Sequence, residues 1–339
     1  MVKLITLGCK VNQYESEKIS SSLREAGISV VEEMPKDFQG GIYIINTCSV
    51  TSFAEKKSRY QVSKVFRDDA KAKVIVCGCA SELNKEQFPE GVEIFGTDKS
   101  GVIELVRKIA PKGESGKPKQ KKRINMKVQD GCNNFCNFCI IPHLRGRERS
   151  RPIEEIISEI KGMNPVPKEI VLTGINLSAF KPSVIELCEE IGKLGIPFRL
   201  SSIYPETVTE EFCSRASKIE TFRALFHISL QSGCDKVLKE MNRQYSSYQY
   251  SESVKLIRRH FENPEISTDI IVGYPTETEE DFLETIEFVK QIGFNKVHVF
   301  PFSAREGTPA AKLKPLPASI VTARAEALIK LTESLAKDS

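Results

Sequence analysis

The sequence predicts an α/β protein with two parallel-sheet domains, the second a sheet curled into a partial TIM-like barrel. Three observations carry that expectation. Short apolar runs alternate with amphipathic helical segments along the chain, as they do when helices cover a parallel sheet. The alternation breaks once, at Pro111-Lys-Gly-Glu-Ser-Gly-Lys-Pro118, which reads as a connection between domains. It then resumes as six strand-helix units. Parallel crossovers turn right-handed and advance in one direction, so six of them curl a sheet toward a barrel. The domains are 1–110 and 124–339, with a basic linker at 111–123. At 339 residues, 40% apolar and 28% charged, the chain is long enough for two cores and has the composition of a globular protein.

In the first domain the strand expectations are Val2 to Leu7, Ile42 to Asn46 and Lys73 to Cys77, and the helices are Tyr14 to Ala26, Phe53 to Phe66 and Lys99 to Ala110. A cysteine follows each strand: Cys9, Cys48 and Cys79. The carboxyl ends of parallel strands share one edge, so cysteines far apart in sequence can converge there. Gly8 and Gly78 precede two of them and allow a tight turn. These three are read as ligands of one metal cluster, against the plainer possibility of three core thiols. Cys77 continues the apolar run Val74 to Val76 and reads as core.

In the second domain the expected strands are Arg123 to Val128, Glu169 to Thr173, Phe198 to Ile203, Leu225 to Gln231, Ser267 to Val272 and Lys296 to Phe302. Helices at Glu154 to Lys161, Val184 to Leu194, Ser247 to Arg259 and Thr278 to Gln291 fill gaps between them, and Ala318 to Ala336 reads as a packing helix. The first loop carries Cys132-Asn133-Asn134-Phe135-Cys136-Asn137-Phe138-Cys139, a CxxxCxxC run at the strand ends where such barrels do chemistry. Structural zinc takes four protein ligands, whereas an iron-sulfur cube held by three cysteines keeps one iron open. A zinc knuckle completed by His143 is the alternative. Alternation puts His227, Ser229 and Gln231 on one face, with Gln231 favoured for contact with a bound cofactor and His227 read as a core histidine. His260, His298, Cys188, Cys213 and Cys234 are read as structural.

No apolar run approaches bilayer length and no signal peptide is apparent, so a cytoplasmic location is expected. In a reducing compartment ten cysteines suit metal or redox chemistry better than disulfides. The net charge of +4 is unevenly spread: residues 111–151 carry 11 basic and 3 acidic side chains. Lys112 to Lys127 reads as a solvated linker. Arg145, Arg147, Arg149 and Arg151 beside the cysteine run suit phosphate recognition, and a nucleic-acid backbone is the commonest such partner.

The CxxxCxxC run after the first of six units resembles that of radical S-adenosylmethionine enzymes, on Cys132, Cys136 and Cys139. With Cys9, Cys48 and Cys79 upstream, the chain is similar over nearly its whole length to the methylthiotransferases. The resemblance implies a flavodoxin-like parallel α/β domain holding an auxiliary 4Fe-4S cluster, then a radical SAM partial (β/α)6 barrel holding a second. Phe138 matches an aromatic beside the cofactor adenine, and Gly174, Ser201, Gln231 and Asp269 in the Asp269 to Gly273 strand are implied cofactor contacts. Asn12 and Gln13 are implied to contact the substrate or shape the auxiliary site.

Thr6 to Glu15, Gln129 to Cys136 and Phe300 to Pro309 look most like the branch that modifies threonylcarbamoyladenosine at position 37 of tRNA. The branches acting on isopentenyladenosine and on a ribosomal-protein aspartate are alternatives, and a non-catalytic zinc-dependent RNA-binding protein is one of another class. The implied chemistry is one-electron cleavage of S-adenosylmethionine to a deoxyadenosyl radical that activates carbon 2 of the adenine, with sulfur presented by the auxiliary cluster. A flipped-out base of the tRNA anticodon loop would be the target. An electron donor such as flavodoxin or ferredoxin is an implied partner. Family members usually continue into a β-rich RNA-binding module, TRAM, and this sequence stops at the helix before it. Either the sequence is cut short there or the protein lacks the module; in the second case the two remaining domains would grip tRNA, with the four arginines as leading candidates.

Overall fold

The structure, a computed structural model, describes residues 1–113 and 122–335. Much of the expected basic linker and the end of the expected final helix, Ala336, lie outside the described residues. The chain forms two compact units, Met1–Lys121 with His143–Gly146, and Lys122–Pro142 with Arg147–Ser339. The segment 143–146 thus joins the first unit, although it lies within the span read as the second domain. Leu144 supplies a carbonyl to the Thr97 hydroxyl at 3.1 Å and Arg145 is buried there, which explains the assignment.

The first unit contains β1 (Val2–Thr6), β2 (Val30–Val31), β3 (Ile42–Thr47), β4 (Lys73–Gly78) and β5 (Val92–Ile94), in the order β2-β1-β3-β4-β5 with every pairing parallel. This is the flavodoxin-like doubly wound order, whose carboxyl edge gathers ligands. β3 is buried at all six positions, as a strand covered on both faces must be. Alternation sends Ile42 and Ile44 into one core with Leu23 and Val106, and Tyr43 and Ile45 into the other with Val62 and Val74. The sequence reading missed β2 and β5, which are two and three residues long and leave too short a pattern to see.

The second unit contains β6 (Arg123–Lys127), β7 (Gln129–Asp130), β8 (Arg149–Ser150), β9 (Glu169–Thr173), β10 (Phe198–Leu200), β11 (Ser202–Ile203), β12 (Leu225–Ile228), β13 (Glu265–Val272) and β14 (Lys296–Pro301). Two parallel sheets, β10-β9-β6 and β11-β12-β13-β14, meet where only Ser201 separates β10 from β11. The strands therefore follow one another in sequence order, the arrangement of a partial barrel. β7 and β8 form a small antiparallel pair. Along β13 the residues Ile266, Thr268, Ile270 and Val272 are fully buried, while Ser267, Asp269 and Ile271 face the half-open interior. β12 ends at Ile228, short of the expected Gln231, because Gln231 takes a left-handed φ of 77° and bridges to Ile270 instead. Among the described residues no helix is long and apolar enough to cross a membrane.

Candidate functional site

The first cysteine set sits at the carboxyl edge of the flavodoxin-like sheet. Registers Thr6↔Asn46 and Thr47↔Gly78 place the ends of β1, β3 and β4 side by side, and Cys9, Cys48 and Cys79 follow those ends. The turns are tight. Gly8 has φ +90°, and a Cβ there would lie 2.7 Å from the Cys48 sulfur; Gly78 has φ +101°, and a Cβ there would lie 2.6 Å from the Thr47 carbonyl oxygen. Cys48 is within electrostatic reach of both Cys9 and Cys79. Burial pushes the Cys48 thiol up to about 11 and raises Cys79 as well, while the Arg145 guanidinium pulls both down.

Arg145 is the cation of this site. Its side chain is 1% exposed and pairs with Glu15 at 3.0 Å. It also donates from Nη2 to Asn12 Oδ1 at 2.8 Å. The expectation that Arg145 faces RNA therefore fails: the guanidinium is spent inside the protein. Asn12 is equally committed, donating from Nδ2 to the Leu7 and Thr47 carbonyls at 2.8 and 2.9 Å, so it shapes the site and is not presented to a substrate. Gln13 is exposed on the helix Lys10–Glu25, which starts earlier than expected and brings both residues into its first turn.

The second set lies in the loop after β6 and β7. Cys132 and Cys136 are buried and Cys139 is half-buried, with no disulfide at any of them. Burial raises Cys132 and pushes Cys139 up to about 12; Cys139 lies within electrostatic reach of both others. Asn134 donates its backbone N–H to the Cys132 sulfur at 3.4 Å, and Arg243 donates from Nη1 to the Cys136 sulfur at 3.2 Å.

Arg243, Asn242, Tyr245 and Gln129 support the cysteine loop or its neighbours, and sequence reasoning gave none of them a role. The Arg243 guanidinium stacks 4.4 Å from the Tyr204 ring centroid and donates to the Tyr245 hydroxyl, which bonds the Leu230 carbonyl at 2.9 Å. Asn242 donates to the Phe135 carbonyl at 3.1 Å, supporting a residue with φ of 45°. Gln129 donates to Gly131 O at 2.7 Å and accepts from Asn176 N at 2.8 Å, tying the cysteine loop to the end of β9. The only signal in sequence is Gln129's place directly before the motif.

Phe138 packs against the buried cluster of Cys234, Val237, Met241, Tyr274 and Ala310. Gly174 is needed for contact with Gln129, since a Cβ would fall 2.8 Å from its Oε1. Ser201 is buried at the β10–β11 break, and Asp269 contacts His227. Arg147 and Arg149 are exposed, with Arg147 4.9 Å over the Phe135 ring. Arg151 is held by Glu155 and Glu159, each at 2.7 Å, which removes most of its capacity for phosphate. Cys77 lies in the core, as read.

Both trios fit three-thiolate iron-sulfur cubes. Each gathers three unbridged cysteines beside one buried guanidinium, Arg145 or Arg243, that offsets the charge the thiolates bring when metal displaces their protons. A zinc knuckle finds less support, because its proposed fourth ligand, His143, is exposed on the helix Ile141–Arg145.

A model of the Radical SAM superfamily matches residues 126–289, and one described as Uncharacterized protein family UPF0004 matches 1–95. The threonylcarbamoyladenosine tRNA methylthiotransferase MtaB of Chlamydia pneumoniae is 38% identical over 323 residues, covering 91% of this chain and 76% of its own. That of Bacillus subtilis is 34% identical, covering 98% and 80%. The tRNA-2-methylthio-N(6)-dimethylallyladenosine synthase of Clostridium novyi is 35% identical, covering 91% and 75%. Among solved structures, the radical S-adenosylmethionine methyltransferase TsrM from Kitasatospora setae matches with a TM-score of 0.63 over 91% of this chain and 76% of that one, at 13% identity, a likeness of fold.

Proposed function

The chain belongs to the radical SAM methylthiotransferases, and from that premise we propose that it converts threonylcarbamoyladenosine in tRNA to its 2-methylthio derivative. The observation that carries the choice of base is the 38% identity to the Chlamydia pneumoniae enzyme over 91% of the chain. Cys132, Cys136 and Cys139 would hold the cluster that binds S-adenosylmethionine, and Cys9, Cys48 and Cys79 the auxiliary one. When bound, these groups supply radical activation of a carbon–hydrogen bond that no side-chain base could deprotonate, and the sulfur to be inserted.

The protein's own residues position and protect. Gln129 and Asn242 hold the cysteine loop against the barrel. Arg243 gives the Cys136 sulfur a charged hydrogen bond, and hydrogen bonds to cluster sulfurs, like net charge, tune reduction potential. Arg145 and Asn12 lock the turns that carry Cys9 and Cys48. Phe138 anchors the loop on the buried cluster that contains Cys234 and Tyr274. Arg147 and Arg149 are the exposed cations for the tRNA backbone. An electron donor such as flavodoxin or ferredoxin and a cytoplasmic location belong to the same reading. Mass analysis of tRNA nucleosides tests it: cells lacking the gene lose 2-methylthio-threonylcarbamoyladenosine and accumulate the unthiolated base. Loss of the isopentenyl derivative in its place would move the substrate to the other tRNA branch.

A further inference from the structure

Within the second unit, β12, β13 and β14 set His227, Asp269 and His298 on one sheet face. The register fixes this: His227 pairs with Ser267, Asp269 pairs with His298, and Ser267 and Asp269 are two apart on one strand. The opposite face of β13 is fully buried at Ile266, Thr268 and Ile270, so the three line the inner face of the partial barrel. They lie one pleat below Ile271, which packs against the same buried cluster as Phe138.

His227 Nε2 stands 3.1 Å from Asp269 Oδ2, and one ligand atom from each of the three residues falls within 4.8 Å of the others. His227 Nδ1 lies 3.0 Å from Ser267 Oγ, and that hydroxyl donates to the Phe226 carbonyl at 3.3 Å. A serine has one hydroxyl hydrogen. With it on Phe226, Ser267 accepts from Nδ1–H, the tautomer that leaves Nε2 available to ligate an ion. A divalent ion placed between Nε2 and the carboxylate oxygen would take a lone pair from each. Donors bound to one ion at about 2.1 Å lie roughly 3.0 to 3.4 Å apart, a range that includes the 3.1 Å between His227 and Asp269. His298, whose ring centroid lies 5.8 Å from that of His227, brings a third ligand atom into the same cluster.

We propose that His227, Asp269 and His298 bind a divalent first-row transition cation, two imidazoles and a carboxylate taking one side of it and leaving positions open. The side chains of His227 and Asp269 keep 17% and 28% exposure, so an ion can reach them. Ser267 is the outer support that fixes the tautomer and ring orientation of His227. The site uses none of the six cluster cysteines and stands whichever base the enzyme modifies.

The test is titration of manganese(II) into holoenzyme whose clusters are oxidised and silent in electron paramagnetic resonance. One equivalent binds, and its echo modulation shows two imidazole nitrogens. Asp269→Asn and His298→Gln each weaken binding by about tenfold or more, as does Ser267→Ala by about tenfold, with iron content unchanged. No bound ion in the wild type, the outcome of a proton-bridged His227–Asp269 pair, overturns the proposal. So does a bound ion without imidazole coupling, or binding that survives in both ligand variants. Should a variant fail to fold, the nitrogen coupling of the wild type still decides.

Discussion

Gly8 shows how much of the auxiliary site rests on one missing methyl group. Its φ is +90°, and a Cβ added there would stand 2.7 Å from the Cys48 sulfur, which leaves no space for a side chain. Gly8→Ala should therefore cost the auxiliary cluster alone: iron falls from about eight to about four per chain, as it does for Cys132→Ala at the other site. Iron analysis with electron paramagnetic resonance separates the two losses, and full iron in Gly8→Ala would contradict the assignment. Arg243 makes the matching case in the barrel. Arg243→Ala removes a charged hydrogen bond to Cys136 and two to Tyr245, so the protein loses about 2–4 kcal/mol of stability and the retained cluster shifts in reduction potential. Redox titration should show that shift in Arg243→Ala and a smaller one in Arg243→Lys. Neither arginine carries a sequence signal for its role. Arg145 looked like one of four exposed cations until its burial against Glu15, and Arg243 lies 107 residues from the cysteine it meets.

At the level of elements, the helix Glu279–Ile292 begins with a capping box in which Thr278 and Asp281 satisfy each other's backbone N–H groups. Burial alone would raise the Asp281 carboxyl, but the Lys236 ammonium and Thr278 overrule it and hold it down at about 2. A folded value below the unfolded one, about 3.9, stabilises above about pH 4, and the gain is lost as pH falls through about 2. With the Lys236 side chain half exposed, solvent screening leaves that contribution at about 1 kcal/mol. Thermal unfolding of the metal-free protein should show Asp281→Asn less stable near neutrality, with the gap closing in acid; a gap that stays constant with pH would exclude the ionic origin. The final helix, Ala318–Leu335, is fastened by Arg324, which bonds Glu277 Oε2 at 2.7 Å and its carbonyl at 3.0 Å. The strands with long apolar runs and the helices with clear periodicity were legible in sequence, since packing on a sheet imposes both. β2 and β5 were not, because two or three residues make no period, and the end of β12 was not, because Gln231 turns left-handed for tertiary reasons.

For the whole molecule, the order β2-β1-β3-β4-β5 in one unit and the sequential parallel strands of the other, with β10 and β11 divided only by Ser201, put each cysteine trio at the carboxyl ends of strands. The two cysteine trios were legible in sequence, one as a cysteine after each of three strands and the other as CxxxCxxC. The supporting shell came only from tertiary structure. Arg147 and Arg149 are exposed, so replacing both with alanine should weaken tRNA binding and lower the slope of log affinity against log salt by about 1–2; an unchanged slope would take them out of the interface. The central claim is tested most directly by the nucleoside profile of tRNA from cells lacking the gene, complemented with the wild type or with Cys9→Ala or Cys132→Ala. The prediction is that 2-methylthio-threonylcarbamoyladenosine disappears and returns only with the wild type. Its persistence in the deletion strain, with no second such enzyme present, would contradict the account.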